Sequence, residues 1–572
     1  MDHFDPASAG SAPSAAGSAA HAARIFDFNR ERGEIVREVA GRVWGRKVLA
    51  GERNPDAALE YVLNDVAFHE IQRLEPDRSD KAKARRGAWQ DLARSLGRMS
   101  TPEKESRVRA LIDEYAQDIV GNFDPRVYQF ATRVLPLGLA ALLTPQDLRH
   151  GLTGFGELGD HITVQGDLET LRALAARATL VFTPTHMSNL DSILIGFALL
   201  RAGLPPATYG AGKNLFTNRF ISFFMQNLGA YKVDRRLRFA LYKDVLKEYS
   251  SVLLERGFHS LFFPGGTRSR AGEVEHHLKL GLLGTALAAY VENLRAARPN
   301  PDVFIVPVTL NYPLVLEAAT LIEDHFKAEG KGRYIIEDDE FSRFERIVTF
   351  LRRLLSMEQS IVVHFSHALD PFGNRVGPDG RSRDRRGRPV DRTTYVARWD
   401  AIAAAAAGGA PAGAFQHDRA RDAEYTEELG RRICEVFAAD TVAMSTHVTS
   451  LCVFELLRRR FPSLDLYRLL RAAGGETLPL EEVTAAVGRV QGALRALADA
   501  GRVRMSVTVA SRGPAGVLDR ALRYFSAYHV PSVLTREGAR LRVGDTALVV
   551  YYRNRLMRYG LERAAAAAEA GT

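Results

Sequence analysis

The residues able to do chemistry in this 572-residue sequence cluster in a few short segments. In Thr183-Pro184-Thr185-His186-Met187-Ser188-Asn189-Leu190-Asp191-Ser192, a histidine and an aspartate stand five positions apart, after an apolar strand-like run and before a helical pattern. A histidine at the carboxyl end of a strand can take a proton from a hydroxyl, and a carboxylate beside it holds the tautomer and stabilises the imidazolium. Taken alone, the spacing fits a His–Asp contact that ties a turn at least as well. A second strand-to-turn segment follows, Phe262-Phe263-Pro264-Gly265-Gly266-Thr267-Arg268-Ser269-Arg270. Two glycines let backbone approach a ligand closely. Two guanidiniums around a hydroxyl suit a phosphate monoester better than a merely solvated turn. Gly210-Ala211-Gly212-Lys213-Asn214 and Tyr231-Lys232-Val233-Asp234-Arg235-Arg236 add Lys213 and Arg235 as candidate phosphate ligands, with Asn214 beside them. Val306-Pro307-Val308-Thr309-Leu310-Asn311-Tyr312 is a strand that ends in polar residues.

Alternating elements must hold these segments. Apolar runs at 161–164, 179–184, 259–263, 303–308 and 361–365 are separated by helical patterns at 168–178, 192–202, 237–255 and 279–294. That alternation predicts an α/β domain with a mixed, largely parallel sheet and flanking helices. Helical spacing runs from 25 to 150, with Thr101-Pro102-Glu103 as a helix start. Beyond 420 the chain reads as mostly helical α+β. Val483, Val487, Val490, Leu494 and Leu497 share a helix face, and Val503, Met505, Val507 and Val509 alternate like a strand. The predicted organisation is a disordered tail at 1–24, a helical domain at 25–150 and an α/β domain at 151–370. An Arg/Gly-rich excursion with an alanine-rich linker follows at 371–415, then a helical domain at 416–560 and a tail at 561–572.

Composition bounds the function. Hydrophobic residues make up 46% and charged residues 25%, an ordinary globular balance that excludes a mostly disordered or fibrous chain. The net charge of +9 suits phosphates, anionic lipid or nucleic acid without choosing among them. Two cysteines exclude a disulfide scaffold or a cysteine zinc cluster and suit a reducing compartment. No secretory leader is expected, because the first ten residues carry no Lys or Arg and no leucine-rich stretch follows. No run of 18 apolar residues occurs, so membrane attachment would be peripheral. The Gly-x-Gly-x-x-Gly at 154–159 precedes a strand instead of following one and reads as a turn. His276-His277 lacks a third metal ligand at a recognisable spacing, so no metal is expected.

The four segments, in this order, resemble the glycerolipid acyltransferase superfamily. His186 and Asp191 match its H-x-x-x-x-D motif, Val233 and Arg235 its hydrophobic-x-Arg element, residues 263–270 its third motif, and Pro307 its fourth. The second arginine of Gly265-Gly266-Thr267-Arg268-Ser269-Arg270, the long extensions on both sides and Tyr551-Tyr552-Arg553-Asn554 lean towards the large glycerol-3-phosphate acyltransferases. The sequence departs from the family at Pro264-Gly265, where a glutamate is usual, and leaves that role unassigned, with Glu273 and Glu275 nearby.

The resemblance implies acyl transfer from acyl-CoA or acyl-carrier protein to the hydroxyl of glycerol-3-phosphate, without a cofactor. Dihydroxyacetone phosphate and lysophosphatidate are the alternative acceptors. His186 would be the base and Asp191 its orienting partner. Lys213, Asn214, Arg235, Gly266, Thr267, Arg268, Ser269, Arg270 and Pro307 would form the substrate site. The implied setting is a peripheral position on the cytoplasmic face of an anionic membrane. Nucleic-acid binding, suggested by the arginines at 375–392 and the 480–509 region, is the distant rival. Interleaved acids and the lack of an aromatic stacking pattern speak against it.

Overall fold

The computed structural model describes residues 24–50, 54–133, 161–213, 216, 219–330, 361–398 and 414–567. The expected tail at 1–24 apart from Arg24, the glycine turn at 154–159, Asn214 and most of the alanine-rich linker lie outside the described residues.

The centre is a seven-stranded sheet: β1 (Ile162–Gly166), β2 (Thr179–Pro184), β3 (Thr208–Gly212), β4 (Ala230–Val233), β5 (Ser260–Leu261), β6 (Val303–Asn311) and β7 (Ile361–Phe365). Their spatial order is β1-β7-β6-β2-β5-β3-β4. Every neighbouring pair is parallel except β6–β7. The mixed, largely parallel sheet is therefore the one the alternating runs predict. All residues of β2 and β6 are buried, the condition under which a strand reads as a continuous apolar run and not as an alternation. The strands β3 and β4 escape the sequence reading because neither is a continuous apolar run: β3 contains two glycines, and β4 carries Lys232 among its four residues.

Helix ends follow local chemistry. The N-terminal helix Thr101–Ile119 starts one residue earlier than its sequence suggests. Ser100 is the cap, its N–H donating to Glu103 Oε2 at 2.7 Å, while the Thr101 hydroxyl turns to Asp56. Near the C-terminus, the alternation Val503–Val509 is not one strand. Only Arg504–Met505 pairs as a strand, and Ser506 caps a short helix, Val507–Ser511, by accepting from Val509 N–H. The local hydroxyl cap overrides the period-two pattern there. Part of the expected tail is also packed: Glu562–Ala566 is helical, and Leu561 and Ala565 are buried.

Two apolar clusters cross the expected domain boundaries. One joins four helices of the N-terminal region to Tyr231 and to the helix Ala240–Glu255, through Tyr242, Val245, Tyr249 and Val252. Arg42 reinforces this contact by pairing with the buried Glu255 at 2.7 Å. The other runs from β1, β2 and β6 into the C-terminal helices as far as Ala565. The Arg/Gly-rich segment folds into three antiparallel two-residue strands, Arg375–Val376, Ser382–Arg383 and Pro389–Val390. Its interleaved acids shape the turns. Asp379 accepts from Arg381 N–H, and Asp384 accepts from Arg386 and Arg388 N–H.

Candidate active site

β2 ends at Pro184, and the chain turns over the top of the sheet before the helix Asp191–Arg201. Thr185 pins that turn to β6: its N–H donates to Val308 O, and its hydroxyl accepts from Leu310 N–H at 3.0 Å. Asp191 is completely buried at the first position of its helix, where the helix dipole favours a carboxylate. Its Oδ2 lies 2.8 Å from His186 Nδ1 and accepts from the N–H groups of Met187 and Ser188 at 2.7 and 2.9 Å. Its Oδ1 accepts from the Tyr312 hydroxyl. Burial, reinforced by the Asp191 charge, pushes the Tyr312 phenol well above its ordinary pKa, so it stays a donor. With Nδ1–H directed at Asp191, the lone pair of His186 is left on Nε2.

The imidazole stacks on Phe263, with ring centroids 4.1 Å apart, and keeps 12% of its surface exposed. Burial lowers its pKa. Asp191 opposes that shift, and the charges of Arg268 and Arg235 add to it. The result is a neutral base at neutral pH.

The turn after β5 packs directly on the histidine. Ser269 N–H donates to His186 O at 2.8 Å, and the Ser269 hydroxyl is spent on Glu273 O. Gly266 has φ +74°, a conformation that favours glycine, and an added Cβ would meet the Lys279 side chain at 2.5 Å. Thr267 is exposed.

The expected cations divide into two sets. Arg268 and Arg235 both act electrostatically on His186 and on one another. Arg235 is reachable by solvent, yet crowding by protein and then the Arg268 charge hold its pKa below the usual guanidinium value. Among the described residues, no carboxylate pairs with Arg235. Lys213 is instead held 2.7 Å from Asp118 of the helix Thr101–Ile119, and Arg270 2.5 Å from Asp324. Pro307 is buried within β6 opposite Thr183, its carbonyl taken by Ser366 N–H. That places it in the sheet beneath the site and not at its mouth.

Four contributors have no role in the motif reading, although it names Glu275 as a neighbour of the third motif and Tyr312 as the end of the fourth segment. Tyr312 orients Asp191. Glu317, fully buried, accepts from the Ser188 hydroxyl and Asn189 N–H and lies 3.4 Å from Arg268. Both follow β6, where polar residues at the strand end are the available signal. Glu275 contacts the His186 backbone. Arg555, only 2% exposed, reaches in from the C-terminal region to Leu310 O, Glu273 O and Met187 Sδ. Beside it, Asn554 Nδ2 donates to Ala271 O at 2.8 Å, and Gly272 has no room for a Cβ against Tyr551 O. Nothing in local spacing links residues 551–555 to residues 187, 273 and 310. Among the described residues, no group of three or more His, Cys, Asp or Glu side chains is arranged to hold a metal ion.

Residues 161–311 match the acyltransferase family model. The chain is similar to the glycerol-3-phosphate acyltransferase of Pseudomonas aeruginosa (strain UCBPP-PA14), 30% identical over 220 residues, which cover 38% of this chain and 24% of that protein. It is similar also to that of Pseudomonas syringae pv. tomato, 28% identical over 249 residues, covering 43% of this chain and 27% of that protein. The chain thus spans about a quarter of the length of the curated relatives it matches. A crystal structure of the 1-acyl-sn-glycerophosphate acyltransferase of Thermotoga maritima aligns over 54% of this chain and 81% of its own, with 14% identity and a TM-score of 0.25.

Proposed function

We propose, from the acyltransferase-family domain that this chain carries at residues 161–311, that the protein transfers a fatty acyl group from a thioester to the hydroxyl of glycerol-3-phosphate. The observation that carries the reading is the arrangement at His186. A neutral, carboxylate-oriented base lies within the field of two guanidiniums, one of them without an acidic partner among the described residues. His186 Nε2 takes the proton of the acceptor hydroxyl as its oxygen attacks the thioester carbonyl. The carbon–oxygen ester bond forms, the carbon–sulfur bond breaks, and the thiolate of coenzyme A or of a carrier protein leaves and is protonated. Asp191 stabilises the imidazolium. Arg235 and Arg268 hold the acceptor's phosphate, which fixes the hydroxyl near the base and converts a bimolecular encounter into a positioned one. A thioester is already activated, so the protein's task is orientation and proton transfer.

The names of the relatives favour glycerol-3-phosphate as acceptor. Dihydroxyacetone phosphate or lysophosphatidate would use the same base and the same cations. Thiol release from acyl-CoA, measured with each of the three acceptors, tests the reading, and no release with any of them rejects it.

We place the protein at an anionic membrane surface, peripherally and on the cytoplasmic face. No described helix is long and apolar enough to cross a membrane. Phe130 and Phe223 are half exposed, with Phe130 stacked on Phe224, and Arg238 is exposed on the segment that follows Arg235. Such aromatics and cations suit shallow contact with headgroups.

A further inference from the structure

Glu275 is a carboxylate at the site for which the proposed chemistry names no role. Its Oε1 accepts from His186 N–H at 2.6 Å. Because Ser269 N–H holds the His186 carbonyl at 2.8 Å, the loop after β5 grips the histidine's backbone on both sides. The loop is itself fixed: Lys279 N–H donates to Pro264 O at 2.7 Å, the Ser269 hydroxyl to Glu273 O, and Val274 is buried beside Glu275. Glu275 Oε2 is buried without a hydrogen-bond partner among the described residues. Burial raises the Glu275 pKa, and the charge of Arg555 opposes that shift. A buried carboxyl oxygen without a partner is costly, and packing alone does not require it. Its Cγ lies 3.2 Å from where a Cβ on Gly265 would stand. Gly265 is not among the glycines with positive φ, so its backbone accepts a side chain. The space beside Gly265 is thus filled from ten residues downstream.

We propose that Glu275 is a positioning residue: delivered into the space in front of Gly265, it anchors the His186 backbone so that the imidazole is presented correctly to the acceptor hydroxyl. This rests on His186 acting as the base in acyl transfer.

Three variants and one reversal test it. Glu275→Ala is expected to lower kcat roughly 10- to 100-fold, as a small misplacement of a reacting group does, with both KM values within about threefold of wild type. Glu275→Gln should recover most of the loss, since an amide oxygen accepts the same N–H. Gly265→Glu alone should be damaging, because two side chains then compete for one volume. In the Glu275→Ala background the same Gly265→Glu change should instead restore kcat by about tenfold or more, on the same positional argument. A change of sign of that kind is not expected from general destabilisation, and thermal unfolding of each variant checks the fold. The proposal is overturned if Glu275→Ala retains wild-type kcat, if Gln is as poor as Ala, or if Gly265→Glu fails to rescue. An NMR titration of the His186 ring separates the two readings. If wild type transfers no acyl group to any acceptor, the functional reading fails. Even then, a His186 titration displaced by Glu275→Ala and returned by Gly265→Glu upholds the positioning role, and an unmoved titration rejects it.

Discussion

The base and the cations of this site are built in opposite ways. Around His186 and Asp191 the hydrogen bonds are closed: four donors converge on one carboxylate, and backbone and ring are held from three directions. Around Arg235 the charge is open: no carboxylate among the described residues pairs with it, and the Arg268 charge lowers its pKa; both guanidiniums lower that of the histidine, while Arg268 keeps the buried Glu317 at 3.4 Å. Lys213 and Arg270, which the sequence groups with them, are closed again by Asp118 and Asp324. A group that must hold one geometry through a reaction profits from being fully bonded. One that must receive an anion profits from unneutralised charge.

The largest effects should come from breaking the closed half. His186→Ala is expected to cost acyl transfer ~10²–10⁴-fold with the fold intact, since that is what general-base catalysis supplies. Asp191→Asn should be severely impaired as well, because the amide cannot stabilise the imidazolium. Near-normal turnover of a folded His186→Ala protein rejects the mechanism.

Next comes the open half. Arg235→Ala is expected to raise the acceptor KM ~10- to 150-fold, the worth of a charged hydrogen bond, and to leave the thioester KM nearly unchanged. Lysine should rescue it only in part, because a point charge does not reproduce the planar fork. Arg270→Ala and Lys213→Ala should fall well short of that, since their charges are committed to Asp324 and Asp118. Equal effects at all three positions would erase the division between open and closed cations.

A pH profile sharpens the link between the halves. His186 has a lowered pKa, so the free enzyme keeps its neutral base until pH falls through a value below the ordinary ~6.5. The acid limb of kcat/KM should therefore lie below ~6.5. Bound phosphate neutralises the two arginines, raises the histidine's pKa and should move the acid limb of kcat to higher pH. Limbs in the reverse order would show that the arginines do not meet the acceptor. The smallest effect expected is at the membrane. Flotation with anionic liposomes should be seen at low salt and fade as salt rises. Resistance to salt would point to apolar contact as the main attachment.

The sequence by itself was enough for the alternating α/β plan, for five of the seven strands of the sheet and for the His186–Asp191 pair. These depend on period, burial pattern and motif spacing, all of which are local. Tertiary structure alone decided which cations face His186. An ion pair such as Lys213–Asp118 joins residues 95 positions apart, and no spacing rule reaches that far. It likewise decided that Glu275 fills the space in front of Gly265, and that Arg555 ties residues 187, 273 and 310 together from the far end of the chain. It also decided the extent of the cores, because buried surfaces are shared between segments whose sequences each read as complete. A motif records which side chains the chemistry needs. Whether a given charge is spent on a neighbour or left open for a substrate depends on what the fold brings beside it, and that is set by contacts between segments remote in sequence.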